Sequence, residues 1–106
     1  MPESRKISLW AQGRLYVDAQ RRPDGTLVIS GQDLNPNNAF GGGEYEYALT
    51  VSAADVPRIV EALGGGPDDD VLALMSQHAE QIIRTGETRW LRDIGIKPEF
   101  WSRVSD

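Results

Sequence analysis

GQDLNPNNAFGGGEYEYALTVS, residues 31–52, is the stretch that decides the fold. Its second half alternates: Tyr45, Tyr47, Leu49 and Val51 hold one parity, Glu44, Glu46, Ala48 and Thr50 the other. A period of two with one more apolar parity predicts an antiparallel strand with one buried face. Its first half ends a strand at Asp33, then runs through Asn35-Pro36-Asn37-Asn38 and Gly41-Gly42-Gly43. Asn-Pro favours a turn and the glycines carry nothing to pack, so Leu34–Gly43 reads as a long hairpin connection. A phosphate-cradle reading needs a Lys-Ser/Thr pair and a helix directly after the glycines; here a strand follows. Phe40 is the aromatic of this polar loop, and it either anchors the loop to the core or meets a partner.

Upstream, Thr26–Asp33 predicts a strand with Leu27 and Ile29 on one face. Arg21-Arg22-Pro23-Asp24-Gly25 before it is turn chemistry, because Pro presets φ and Asp-Gly tolerates φ > 0. Further back, Ile7, Leu9, Ala11, Gly13, Leu15, Val17 and Ala19 share one parity, with Trp10, Gln12, Arg14, Tyr16 and Asp18 on the other. One strand over 7–20 would be unusually long. A bend or bulge near Gly13 is therefore expected.

Downstream, the period changes at Ser52. Ser52 and Asp55 have the spacing of a capping box. Val56, Ile59, Val60 and Leu63 then recur at helical spacing, with Pro57 in the first turns and Gly64 as the stop. This predicts a helix over 53–63. Asp68-Asp69-Asp70 opens a second, over 69–84, whose apolar face is Val71, Leu72, Met75, Ala79, Ile82 and Ile83. Three adjacent acids invite a calcium reading, but an EF-hand spaces its ligands at alternate positions and needs a distal Glu. An N-cap and first-turn complement to the helix dipole fits better, and no metal is assigned. A third helix, 87–94, buries Trp90, Leu91 and Ile94. Lys97–Trp101 docks back as a short strand or a helical turn. The predicted fold is α+β, in one domain over 1–106: an antiparallel β-meander of at least three strands (7–20, 26–33, 44–52), followed by two to three helices packed on one sheet face.

The 106 residues are 40% hydrophobic and 25% charged, with no cysteine. That is a globular balance, and disulfides and thiolate metal sites are excluded. No apolar run approaches a bilayer span and the N-terminus lacks a signal-peptide h-region, so a cytoplasmic protein is expected. Between Asp18 and Asp70 ten acids face three arginines, a balance of −7, while the remainder carries +2. An acidic centre argues against a phosphate-tracking nucleic-acid binder, and no membrane partner is expected. It suits a basic protein partner, or it simply keeps a small domain soluble.

Catalytic chemistry has little to stand on. His78, the one histidine, lies at the edge of a helical apolar face, where a structural hydrogen bond explains it better than a general base does. Glu44 and Glu46 share a strand face about 6.5–7 Å apart and have the residue type for acid–base work, but read more simply as solvated charges. No catalytic residue and no cofactor is assigned. The aromatics Trp10, Tyr16, Tyr45, Tyr47, Trp90, Phe100 and Trp101 suffice for a core and for an adhesive patch.

GRLYVDAQRRPDGTLVISGQDL, EYEYALTVSAADVPRIVEALGG, DDDVLALM and FWSR together resemble a family of small, acidic, uncharacterised bacterial proteins. In type rather than in motif, the chain is also similar to toxin-neutralising immunity proteins, and no functional residue is carried over from that likeness. The resemblance implies a non-catalytic module that binds a basic toxin domain. The partner-binding residues assigned from the sequence are Asp18, Asp33, Phe40, Glu44 and Glu46, all on the half of the molecule holding the 34–43 loop. The alternatives are a small-ligand or homodimerising domain that uses an open sheet face, and a small enzyme using Glu44/Glu46 or His78.

Overall fold

Asp24 and Gly25 set the central hairpin. Gly25 adopts φ +92° and its N–H donates to the Arg22 carbonyl at 2.9 Å. Asp24 Oδ1 accepts from the Thr26 backbone N–H at 3.0 Å and from its hydroxyl at 2.7 Å. These bonds to the ionised form hold the Asp24 carboxyl below its ordinary range. The computed structural model describes residues 5–34 and 44–105, and in it this turn joins β2 (Leu15–Arg21) to β3 (Leu27–Asp33).

Three further strands complete one antiparallel sheet in sequence order: β1 (Arg5–Gln12), β4 (Glu44–Val51) and β5 (Glu99–Ser105). The α+β meander with helices on one face is thus the observed architecture, with five strands. The stretch expected as one strand over 7–20 is two. At Gly13, φ +61°, the chain reverses completely, so that Gln12 stands opposite Leu15. Glycine suits a two-residue hairpin loop here because a side chain resists positive φ.

The apparent continuity of parity across 7–19 has a second cause. A β-bulge lies between Ser8 and Trp10, and it puts Trp10 opposite Val17 and Ala11 opposite Tyr16. The bulge exchanges the faces once and the turn exchanges them again. Trp10 therefore packs against the core and Ala11 is exposed, the reverse of what unbroken alternation predicts.

After β4 the chain makes a 3₁₀ turn (Ala53–Asp55) and four short helices: α1 (Val56–Ala62), α2 (Val71–Gln77), α3 (Ala79–Thr85) and α4 (Glu87–Asp93). Ser52 and Asp55 bond to each other through their side chains, 3.2 Å, without capping the backbone. Asp70 is the N-cap of α2 and accepts from Leu72 N–H at 3.2 Å. Asp69 accepts from Gly66 N–H at 2.7 Å, and Asp70 also pairs with Arg5 at 2.8 Å. The helix expected over 69–84 breaks at His78, whose φ of −115° leaves the helical region and whose N–H is shared between the Leu74 and Met75 carbonyls, each at 3.2 Å.

The helices cover the β1–β2 side of one face, with α2 and α3 against β1. Val17, Ala19, Leu27, Ile29 and Leu49 from the sheet meet Ile59, Leu72, Met75, Ile82 and Leu91 from the helices, all fully buried. Each such Leu or Ile contributes roughly 1.5–3 kcal/mol through burial. Lys97–Trp101, expected as strand or helical turn, enters β5, which returns beside β4 with Phe100 opposite Leu49.

Candidate functional site

The strand registers sort side chains between the two faces. Ser8, Asp18, Ser30, Ala48 and Trp101 form one cross-strand row on the face without helices; Ala11, Tyr16, Gln32, Glu46 and Arg103 form the next. Val28 lies on this face as well, which explains why it is buried yet stands apart from the core cluster. The result is a shallow basin of about 280 Å³. Its floor holds the small residues Ser30 and Ala48, and its rims are the exposed aromatics Tyr16 and Trp101. Three interstrand spacings separate those rims, about 14 Å.

Asp18, Glu44 and Glu46, assigned to binding from the sequence, share this open face. Asp18 meets Lys6 Nζ at 3.4 Å, and Glu46 meets Arg103 Nη2 at 3.1 Å. Gln32 donates its amide N–H to Glu44. Half-buried Glu44 has a carboxyl held above its ordinary range, first by partial desolvation and then by neighbouring Glu46. With Glu99 included, four acids and two bases project from this face of the described strands. The surface expected to be simply acidic is laced with ion pairs and keeps a residual negative charge.

Asp33 does not join them. It stands opposite Tyr45, on the helix-bearing face, among Tyr45, Tyr47 and Glu87. Strand parity makes the difference: Asp33 and Glu44 flank the same loop from opposite faces. Phe40 lies outside the described residues.

Tyr47 sits where Gly31 supplies no side chain. A Cβ on Gly31 would fall 2.1 Å from the Tyr47 ring, and the ring's hydroxyl donates to Glu87 Oε1 at 2.8 Å. Burial and the Glu87 charge push the Tyr47 phenol well above its usual range. This contact pins α4 to β4 and has a structural role.

Trp101, Tyr16 and Arg103 are among the members of the open face that the sequence reading left without a binding role. The alternation of Glu99, Trp101 and Arg103 is the signal for the two β5 residues, legible once β5 is known to be a strand, whereas Tyr16 shares the parity of Asp18 in the sequence. His78 lies at the α2–α3 break, away from Glu44 and Glu46 in the sheet order. A second depression, about 410 Å³ under α1, is lined in part by Arg21 and Asp69, which are engaged with Gly25 O and Gly66 N. Among the described residues no three His, Cys, Asp or Glu side chains gather as a ligand set, and no helix is long and apolar enough to cross a membrane. Comparison with protein-family models, curated proteins and solved structures finds no match.

Proposed function

We propose that this chain is a non-catalytic protein-binding module that receives a basic partner on the open face of its sheet. The observation that carries the reading is the grouping of Asp18 and Glu46 with two exposed aromatics, Tyr16 and Trp101, over a floor of small residues, with Glu44 one residue pair further along the same face. Aromatic anchors supply affinity at such surfaces, and the surrounding charges steer the approach. Lys6 and Arg103 fix Asp18 and Glu46 in place, which lowers the ordering cost of recognition.

The likeness in type to immunity proteins gives this reading its concrete form: a cytoplasmic protein that occupies the basic surface of a cognate toxin. A neighbouring gene for a large secreted protein with a basic C-terminal domain favours that form. The direct test is capture from the native cell with the wild-type chain and with an Asp18→Lys/Glu46→Lys variant. A basic protein retained by the first and lost by the second supports the module; equal retention by both removes the open face from recognition.

A further inference from the structure

We propose that β5 is the seam of a homodimer, in which two copies pair antiparallel through their β5 edges about a two-fold axis at Trp101. Among the described residues β5 pairs only with β4, so its outer backbone edge is unmatched. Glu99, Phe100, Trp101, Ser102 and Arg103 are all exposed, and no other described strand is exposed at five successive positions. Phe100 and Trp101 are the two most exposed large hydrophobics of the described chain, at 58% and 50%, and they stand on opposite faces of the strand.

The sequence of this edge is self-complementary. Pairing about Trp101 sets Glu99 of one copy opposite Arg103 of the other, twice, with the two indoles opposite each other between them. These three pairs lie on the open face, where opposite charges and paired aromatics directly across strands are favourable. On the other face each Phe100 stands opposite Ser102 of the second copy and diagonal to its Phe100, within aromatic reach. There Phe100 borders a groove of about 690 Å³ in which Leu49, Ile96 and Pro98 meet Thr88 and Arg92 of α4 and Lys97.

The two edges of the sheet differ in the manner expected if one is guarded and one is used. β1 is interrupted by its bulge at Leu9 and opens with two neighbouring cations, Arg5 and Lys6. Bulges and like charges repel edge pairing. β5 runs in unbroken register along β4 and carries one charge of each sign, equidistant from Trp101. Such an edge attracts its own copy, and closed two-fold pairing of this kind uses up both edges at once. The dimer does not depend on the partner-binding reading, because the β5 edge with Glu99 and Arg103 sets it; it draws Trp101 into the seam and leaves Tyr16, Asp18 and Glu46 of each copy outside it.

Light scattering on size-exclusion fractions reads the proposal. The wild-type chain is expected at twice its 11.7 kDa mass. Glu99→Arg sets like charges opposite Arg103, and Arg103→Glu sets like charges opposite Glu99, so each variant alone is expected at the single-chain mass. Mixed in equal amounts, the two variants restore both opposite-charge pairs, and the mixture is expected to return to the doubled mass. That recovery also shows that both variants are folded. A wild-type chain that runs as a monomer, single variants that stay dimeric, or a mixture that stays monomeric would each overturn the seam.

Discussion

Glu46 and Arg103 stand side by side across β4 and β5, with Oε2 and Nη2 3.1 Å apart. The pair joins the last strand to the acidic pair of the open face, and Arg103 also lies 5.9 Å from the centre of the Trp101 ring. Glu46 is largely shielded while Arg103 is well exposed, so the bridge itself adds at most about 1 kcal/mol. Glu46→Ala, which leaves the β5 edge intact, is accordingly expected to lower unfolding stability by less than that in urea melts. A loss of several kcal/mol would show that the bridge holds β5 in place.

Glu44 offers a titration test. Its raised carboxyl binds a proton more readily folded than unfolded. The contribution to stability is therefore full below the unfolded value, 4.5, and is lost as pH rises from there through the folded value. Carbon-13 NMR of the side-chain carboxyl is expected to place the Glu44 midpoint above 4.5. Glu46→Gln is expected to move it down, because the neighbouring charge goes, and Arg103→Ala to move it up. A midpoint at or below 4.5 in the wild type would contradict the described surroundings.

Gly31 and Tyr47 form a cycle that can be closed. Gly31→Ala drives a methyl into a ring whose hydroxyl is held on Glu87, at a cost of about 1–3 kcal/mol. Tyr47→Ala removes the ring and its bond to Glu87. In the double variant the methyl has room, so the two losses are expected to sum to more than the double variant shows by at least about 0.5 kcal/mol. Simple additivity would mean that the ring does not occupy the space above Gly31.

Most of the architecture was legible because alternation and turn chemistry are local. Glu44–Val51, the Pro23-Asp24-Gly25 reversal and the apolar spacing of 56–63 each follow from neighbouring residues. The failures share one origin. A bulge at Leu9 and a two-residue loop at Gly13 each invert parity, and together they leave a sequence that looks like one uninterrupted strand. The break at His78 interrupts a helical pattern that continues on both sides of it. Asp33 flanks the 34–43 loop with Glu44 yet takes the other sheet face, because closeness to a loop does not say which face a side chain takes. Trp101 and Arg103 were hidden because β5 has no buried parity of its own among its described side chains.

The bulge has its own test. Trp10→Ala is expected to cost about 2 kcal/mol, roughly half the loss of a fully buried tryptophan, because Trp10 is half-buried against the core. Ala11→Lys is expected to change stability by less than about 0.5 kcal/mol, as exposed substitutions do. Unfolding midpoints with the opposite ranking would restore an unbroken strand parity and remove the bulge.

The open face as a recognition surface is tested most directly by association kinetics with the captured basic partner at several salt concentrations. Glu44→Lys/Glu46→Lys is expected to slow association by about 10-fold or more at low salt and to flatten its salt dependence, since steering by opposite charge is lost. Identical association rates and salt slopes for the wild type and this variant would contradict the account.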